Sequence, residues 1–383
     1  MSTAPTFTLG AANTASSLRT ASTTSYGGGQ LDVTSPKVQI SSGGFALSTN
    51  KFVGAGMSNG QGGLRGTAAM QMRIRTMSPS IDICYFEGVE QQQTNPGIAL
   101  YITDVATGVR QRAQLNDYRS NDSAAWRYLR FDLPSAADRI WELSFDATAS
   151  LRSFNLAPGY DLVDLPATPA SQPKIQFVWD SYGEPGVVSQ ASVATDMVKK
   201  GVLSQFAEKF GCPNPQINAR GGTGFLNPAN TLGTYATRRG YGDTTRYGQQ
   251  DLFAAGVSLN DDVGLNAAYT DSALSDAMKS YFQGVAADQP SPTIIMGWGP
   301  QTSVNRAANQ TRWNVAKAAF LSVAAADAAP SRFVWLDGSP SGDDWFNGVV
   351  DGPDNTHMVR AWHDTLSTRM ANTAYNALVA IAG

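Results

Sequence analysis

Apolar and polar positions along the chain follow two different periods, and the change falls near residue 164. From about 50 to 160 the period is two: Met70, Met72 and Ile74 alternate with Gln71, Arg73 and Arg75. Trp141, Leu143 and Phe145 alternate in the same way with Glu142, Ser144 and Asp146. Such alternation predicts half-buried strands. Further strands are expected at 82–88, 97–104, 110–116, 126–133 and 150–156, separated by polar or Gly/Pro turns. That spacing predicts an all-β sandwich, jelly-roll-like, over residues 49–163, a module that could bind carbohydrate or anchor the chain. Residues 1–48 are rich in Ser, Thr and Gly without a helical period, and read as an extended arm or irregular strands.

Residues 164–173 hold three prolines among small residues, the composition of an extended linker. Beyond them, over 174–383, short apolar runs at 175–179, 216–218, 252–257, 293–298 and 332–336 alternate with helical stripes. Val193, Met197, Val198, Phe206 and Phe210 form one stripe, with Gly211 placed to end it, and others occupy about 271–287, 305–328 and 357–381. Runs this short and this apolar suit strands buried on both faces. The alternation predicts an α/β domain whose parallel sheet carries helices on both sides, with its ligand beyond the carboxyl ends of the strands. Two domains also suit 383 residues, since single cores stop growing at roughly 250–300.

Composition narrows the function. Hydrophobic residues make up 42%, enough for a core, but charged residues only 15%, against roughly 25% in an average soluble domain. With Lys+Arg 28 and Asp+Glu 31, the formal net charge is -3, so no basic footprint exists for a nucleic acid. No apolar run is long enough to span a membrane, and the amino-terminal residues lack the basic and apolar regions of a signal peptide. These features suit a chain that is cytoplasmic, already processed, or released by a route that needs no signal, and an extracellular or virion-associated place, as in a phage particle, is the expectation. Cys84 and Cys212 lie far apart and read as buried thiols. His357 and His363 are the two histidines, so any imidazole chemistry is confined to one stretch.

The candidate chemistry lies on the turns after the strands. Asp180-Ser181-Tyr182-Gly183 follows the first run, Asn218-Ala219-Arg220-Gly221-Gly222-Thr223-Gly224 the second, and Ser258-Leu259-Asn260-Asp261 the third. Asp354 and His357 stand three residues apart before the last helix. A serine becomes a nucleophile at neutral pH only with a base, and the base needs an orienting acceptor. Ser181, His357 and Asp354 are one such set. Asp351 is a fallback acid, and Asp354 could instead cap the final helix. His363 lies six residues further along that helix, about 600° round, where a packing role is expected. Asn260-Asp261-Asp262 could also be a solvated loop or weak cation site, though the spacing of a calcium loop is missing. Gly56-Met57-Ser58-Asn59-Gly60 matches the G-x-S-x-G pattern, but Gln61-Gly62-Gly63 cannot start the helix that pattern requires, so Ser58 reads as a loop serine. Asp343-Asp344 and Asp351/Asp354 share one loop and cannot flank a glycosidic bond.

Asp180-Ser181, the Gly221-Gly222-Thr223-Gly224 turn, Asn260-Asp261 and Asp354-Asn355-Thr356-His357 occur in the order of the four marker blocks of the SGNH hydrolases, or GDSL-type esterases, which the chain resembles over 175–383. The resemblance implies a flavodoxin-like three-layer α/β/α domain. It implies Ser181 as nucleophile, His357 as base and Asp354 as its orienter, with no cofactor. The implied oxyanion donors are the backbone N–H groups of Ser181 and Gly222, with Gly224 as alternative, and the Asn260 side chain. Family members joined to a β-sandwich often act on acetylated carbohydrate, so the implied reaction is O-deacetylation of a polysaccharide, with other small esters as alternatives. Polar loops with aromatic residues at 227–247 and 339–347 could stack on sugar rings. The chain departs from the family at two places: Trp179 stands where the family has the Gly before Asp-Ser, and Ser258 replaces the Gly two residues before the Asn. A Trp at the strand end is expected to crowd the acyl pocket or to wall it. The competing reading is a glycan-binding or structural protein whose esterase domain is disabled by that Trp.

Overall fold

The computed structural model describes residues 6–9, 18, 25–27, 37–41, 45–48, 51–54, 70–87, 98–113, 125–145, 149–166, 172–183, 201–213, 215–219, 221–229, 233–238, 248–261, 266–299, 306–339, 342–345 and 361–382. The chain divides into two compact units near Thr168. Among the described residues no helix is long and apolar enough to cross a membrane.

In the first unit the strands are β1 (Thr6–Leu9), β2 (Ser25–Gly27), β3 (Val38–Ser41), β4 (Phe45–Ser48), β5 (Lys51–Gly54), β6 (Met70–Thr76), β7 (Ser80–Glu87), β8 (Ile98–Asp104), β9 (Arg110–Ala113), β10 (Ala125–Asp132), β11 (Arg139–Phe145), β12 (Ala149–Leu156) and β13 (Leu162–Val163). All pair antiparallel. One sheet runs β1-β10-β7-β12-β2 and the other β13-β6-β11-β8-β9, with β3 also on β6 and β4-β5 as a separate pair. The registers explain the period of two. Ile74 sits opposite Trp141 and Trp141 opposite Ile102; Leu129 sits opposite Ile83 and Ile83 opposite Phe154. These residues, drawn from both sheets, are buried in a single apolar cluster. Each contributes roughly 1.5–3 kcal/mol by leaving water. Four short strands fall inside the stretch read from the sequence as an arm or irregular strands.

The second unit holds β14 (Ile175–Trp179), β15 (Gln216–Ala219), β16 (Leu252–Gly256), β17 (Ile294–Gly299) and β18 (Phe333–Asp337) in one sheet of order β15-β14-β16-β17-β18. Every pairing is parallel. Among the described residues three longer helices lie between these strands, α1 (Val202–Lys209), α2 (Asp271–Asp288) and α3 (Arg306–Ala326), and a fourth, α4 (Ala361–Ala382), follows β18. Alternate residues of a strand face opposite layers. Ile175, Phe177 and Trp179 pack with Val202 and Phe206 of α1 and Leu366 and Met370 of α4, whereas Val178 packs with Phe282 of α2 and Phe320 of α3. Both faces are thus covered, which is why these strands read as continuous apolar runs. Gly211 ends α1 as the sequence predicts: its φ is +76°, and Cys212 N–H donates back to the Ala207 carbonyl at 2.9 Å. Thr270 caps α2, its hydroxyl accepting from Ala273 N–H at 3.1 Å.

Trp179 neither crowds nor walls a surface pocket. Its side chain is fully buried in the layer beneath α1 and α4, edge-on to Trp298 with ring centroids 5.0 Å apart, and its indole N–H donates to the Val257 carbonyl at 3.3 Å. Room for the two indoles comes from Gly256, where a Cβ would lie 2.3 Å from Trp298 Nε1 and 2.5 Å from Trp179 Nε1. Cys84 and Cys212 are buried, as expected, and neither forms a disulfide. Replacing Gly256 by Ala must displace one indole, and overpacking of this kind costs about 1–3 kcal/mol. Denaturant unfolding followed by tryptophan fluorescence is expected to show that loss; an unchanged midpoint would contradict the packing described.

Candidate active site

In a sheet of this order the chain leaves β14 to one side for β15 and returns to the other for β16. Connections diverge there, opening a crevice beyond the strand ends. Asp180-Ser181 leaves β14 at that point, residues 221–229 follow β15, and Ser258–Asp261 follow β16.

Asp180 makes the turn that presents Ser181. Its carbonyl accepts from Gly183 N–H at 3.1 Å and its Oδ1 accepts from Tyr182 N–H at 3.0 Å. These two bonds fold the main chain back within four residues. Gly183 has to be glycine, because a Cβ would lie 2.7 Å from Leu203 Cδ1 and 2.9 Å from Trp179 Cβ. The Asp180 side chain is buried while Ser181 is half-buried at the lip.

The turn after β15 is shaped by a carboxylate from the turn after β16. Asp261, wholly buried, accepts from Phe225 N–H at 2.8 Å through Oδ2, and from Leu226 N–H at 2.8 Å and Asn227 N–H at 2.9 Å through Oδ1. Three successive amides aimed at one point form an anion cradle, and the protein fills it with its own side chain. Burial pushes the Asp261 carboxyl above the usual range, opposed by these three N–H donors and by the Arg312 charge. Gly224 lies against it, since a Cβ there would stand 2.2 Å from Asp261 Oδ1. Arg312 of α3 fixes the far side, donating to the Asp261 carbonyl and, at 2.9 Å, to the Tyr269 carbonyl. Asp261 is therefore neither a solvated loop residue nor a free cation ligand. Sequence reasoning missed this role, because the three donors are backbone amides some 34 to 36 positions away along the chain.

The two glycines singled out for the oxyanion differ in what they offer. Gly224 N–H donates to the Asn227 carbonyl at 2.8 Å and is used inside the loop. Gly222 is half-buried, with φ at +76°, a left-handed conformation that favours glycine, and a Cβ would come within 3.1 Å of Ala229 Cβ.

Ser258, Asn260, Asp180 and Thr223 meet at one point. Ser258 Oγ lies 2.9 Å from Asp180 Oδ2 and 2.8 Å from the Thr223 carbonyl, and accepts from Asn260 N–H at 3.0 Å. Asn260 Nδ2 donates to the Thr223 carbonyl at 3.1 Å and lies 3.4 Å from Asp180 Oδ2. Three of the four sequence blocks are thereby bonded to one another. Asp354 and His357, like Asp351, Asp262 and Ser58, lie outside the described residues.

The ends of the segment carrying Asp354 and His357 are described. Trp345 is fully buried, its indole N–H donating to Thr373 Oγ1 at 2.9 Å and its carbonyl accepting from Arg369 at 2.6 Å; the Thr373 hydroxyl donates in turn to Asp343. Thr373 and Arg369 belong to α4, which starts at Ala361, so both ends of 346–360 are tied to one helix. His363 is buried on that helix. Trp345 and Tyr235, two aromatic residues of the loops expected to stack on sugars, are fully buried and cannot do so; Tyr241, Tyr247 and Phe346 lie outside the described residues.

No protein-family model matches the sequence, and no curated protein matches it. Solved structures do. The family two carbohydrate esterase of Cellvibrio japonicus aligns with a TM-score of 0.59 at 11% identity, covering 94% of this chain and 98% of its own. A salicylyl-acyltransferase, SsfX3, from a tetracycline biosynthetic pathway aligns at 0.58 with 14% identity, covering 95% and 99%. An active-site mutant of a family two carbohydrate esterase from Clostridium thermocellum aligns at 0.55 with 12% identity, covering 90% and 99%. Structures described as a GDSL-like lipase and an SGNH hydrolase are among the matches. The chain has the fold shared by these solved structures, and its second unit supplies the parallel α/β sheet.

Asp261→Asn keeps the shape of the side chain but turns an acceptor into a donor facing backbone N–H groups. A stability loss of about 2–4 kcal/mol is expected by denaturant titration, because buried donors lose a charged acceptor. A loss below 0.5 kcal/mol, on the order of a surface substitution, would contradict the cradle.

Proposed function

We propose that the chain is a serine ester hydrolase that removes O-acetyl groups from a polysaccharide. The observation that carries the reading is the meeting of Asp180, Thr223, Ser258 and Asn260 within 3.4 Å beside Ser181, at the switch point of a parallel sheet. An α/β sheet places its chemistry there. In this reading Ser181 attacks the ester carbonyl, His357 takes its proton and returns it to the leaving alcohol, and Asp354 orients the imidazole. Water then releases the acid from the acyl-enzyme by the same steps in reverse. Ser181 N–H, Gly222 N–H and the Asn260 side chain, once turned from its bonds to the Thr223 carbonyl and Ser258 Oγ, hold the oxyanion; Gly224, the alternative to Gly222, has its N–H engaged within its loop.

The substrate class rests on the neighbours described as carbohydrate esterases, one of them in complex with cellohexaose, and on the low charge of the chain, which suits a neutral substrate. Residues 49–163 are read as a β-sandwich carrying a glycan-binding or anchoring function, supported by two antiparallel sheets that share one core. The competing reading, a glycan-binding or structural chain with a disabled esterase domain, depended on Trp179 obstructing the site, and that side chain lies in the core.

The test is acetate release from p-nitrophenyl acetate and from acetylated polysaccharides. Ser181→Ala and His357→Ala are expected to lower kcat on the order of 10⁴-fold or more, with the fold retained. His363→Ala is expected to lower stability and leave the kcat of the folded fraction within about threefold, as for a core substitution away from the chemistry. Equal activity of the native chain and Ser181→Ala would overturn the esterase reading, and equal turnover losses in the two folded histidine variants would overturn the choice of base.

A further inference from the structure

We propose that the outer face of the β13-β6-β11-β8-β9 sheet binds a polysaccharide bearing carboxylates, through a cluster built on Arg73 and Arg110. The inference rests on the reading of residues 49–163 as a glycan-binding module, and names where that module binds and what charge its ligand carries.

Alternation along the strands sets the face. Trp141 of β11 and its neighbours Ile74 of β6 and Ile102 of β8 are buried in the core, so the next residues in register, Glu142, Arg73 and Tyr101, face outward. Arg110 comes from β9, at the end of the sheet. Its guanidinium lies across the Tyr101 ring, 4.0 Å from the centroid, and its Nε donates to Glu142 Oε2 at 2.7 Å. Arg73 reaches the same carboxylate from the strand on the other side of β11. Its Nε is 3.5 Å from Glu142 Oε1, and its Nη1 donates to Gln39 Oε1 at 2.7 Å.

The charges of this cluster do not balance. Arg75, also on this face, is matched by Asp138, to which it donates at 2.9 and 2.6 Å. Glu142 is shared by two guanidinium groups, which leaves one positive charge in excess among the described residues, in a chain whose formal net charge is -3. Stability does not ask for this arrangement. Burial holds the Arg73 guanidinium below its usual range, with Glu142 opposing the shift and the Arg110 charge adding to it. Arg73 Nε is moreover buried without a hydrogen-bond partner. Charged groups held at such a cost are a mark of binding surfaces.

What the cluster offers is a presented fork. Stacked on Tyr101 and bonded through Nε, Arg110 is fixed in plane and direction, yet its side chain is 42% exposed. Among the described residues no hydrogen bond engages its Nη groups. A planar fork with two donors suits a carboxylate, and one excess charge matches a group carrying one negative charge. The polymer follows from the glycan-binding reading; its carboxylates follow from the cluster. The ester attacked in the second unit is neutral in either case.

The test is isothermal titration calorimetry of the full chain with polygalacturonate and alginate, with xylan as neutral polysaccharide and a single-stranded DNA oligomer as a polyanion without sugar carboxylates. At least one uronate polymer is expected to bind ten times or more tighter than xylan and DNA. Arg110→Ala is expected to weaken that binding about 10–100-fold, the scale of hydrogen bonds to charged groups, and to leave hydrolysis of p-nitrophenyl acetate unchanged. Should Arg110→Ala fail to fold, Arg110→Lys keeps a charge beside Glu142 but loses the fork, and must still weaken binding about threefold or more. Equal affinity for the uronate polymers and xylan, or unchanged affinity in a folded Arg110 variant, overturns the arginine site and leaves the glycan-binding reading intact. DNA bound as tightly as the uronate polymers overturns it too, by making the cluster a general polyanion site. A native chain that binds none of the polysaccharides sinks both.

Discussion

A carboxylate removed from water has to be met by donors, and in the second unit two such groups organise everything around Ser181. Asp180 and Asp261 are 1% and 0% exposed, and each is met from a different stretch of chain. Asp180 takes Tyr182 N–H from its own turn and the Ser258 hydroxyl from the turn after β16. Asp261 reaches the opposite way, from the turn after β16 to three amides of the turn after β15. Leaving either carboxylate without its donors would cost several kcal/mol, so neither turn can relax independently of the other. The rigidity of the candidate site is thus electrostatic in origin, and the sheet beneath supplies only the approximate placing.

That placing follows from strand order. Residues 180 and 258 are 78 positions apart along the chain and 223 and 258 are 35 apart, yet β14 lies between β15 and β16, so their following turns emerge side by side. The large side chains under those turns obey the same geometry. Trp179 and Trp298 fill the layer beneath α1 and α4, and Gly256 leaves the space between them. The bulk of Trp179 is accommodated by Gly256 on the next strand. Its bulk is directed into the core, because residue 179 shares a face with Phe177 and Ile175.

Much of this was legible from the residues. Strands buried on both faces announce themselves as short apolar runs, and the five runs of the second unit match its five strands to within a residue or two. The period of two located the antiparallel strands from Met70 to Leu156 for the same reason: one face is apolar and buried. What stayed hidden was the direction of single side chains. Trp179 read as a pocket residue because periodicity fixes its face only once the layers are known. Asp261 read as a solvated acid because its three donors are backbone amides, which carry no residue identity. Trp345 and Tyr235 read as sugar-stacking aromatics since composition does not distinguish a buried ring from an exposed one. The short strands before residue 55 escaped because segments of three or four residues are too brief to establish a period.

Low charge and buried acids together carry the last step. With 15% charged residues the chain has few carboxylates to spend on solubility, yet Asp180 and Asp261 are wholly withdrawn from solvent at one edge of one sheet. If stability alone governed that edge, apolar side chains of similar volume would serve as well or better, since a buried charge seldom adds net stability. Hydrogen bonds to carboxylates do what packing cannot: they fix particular N–H and O–H groups in direction as well as in distance. In the proposed reading the donors of Ser181, Gly222 and Asn260 have to converge on a single ester oxygen. Buried acids beside them are the means by which a loop-built site acquires the directional precision of a strand.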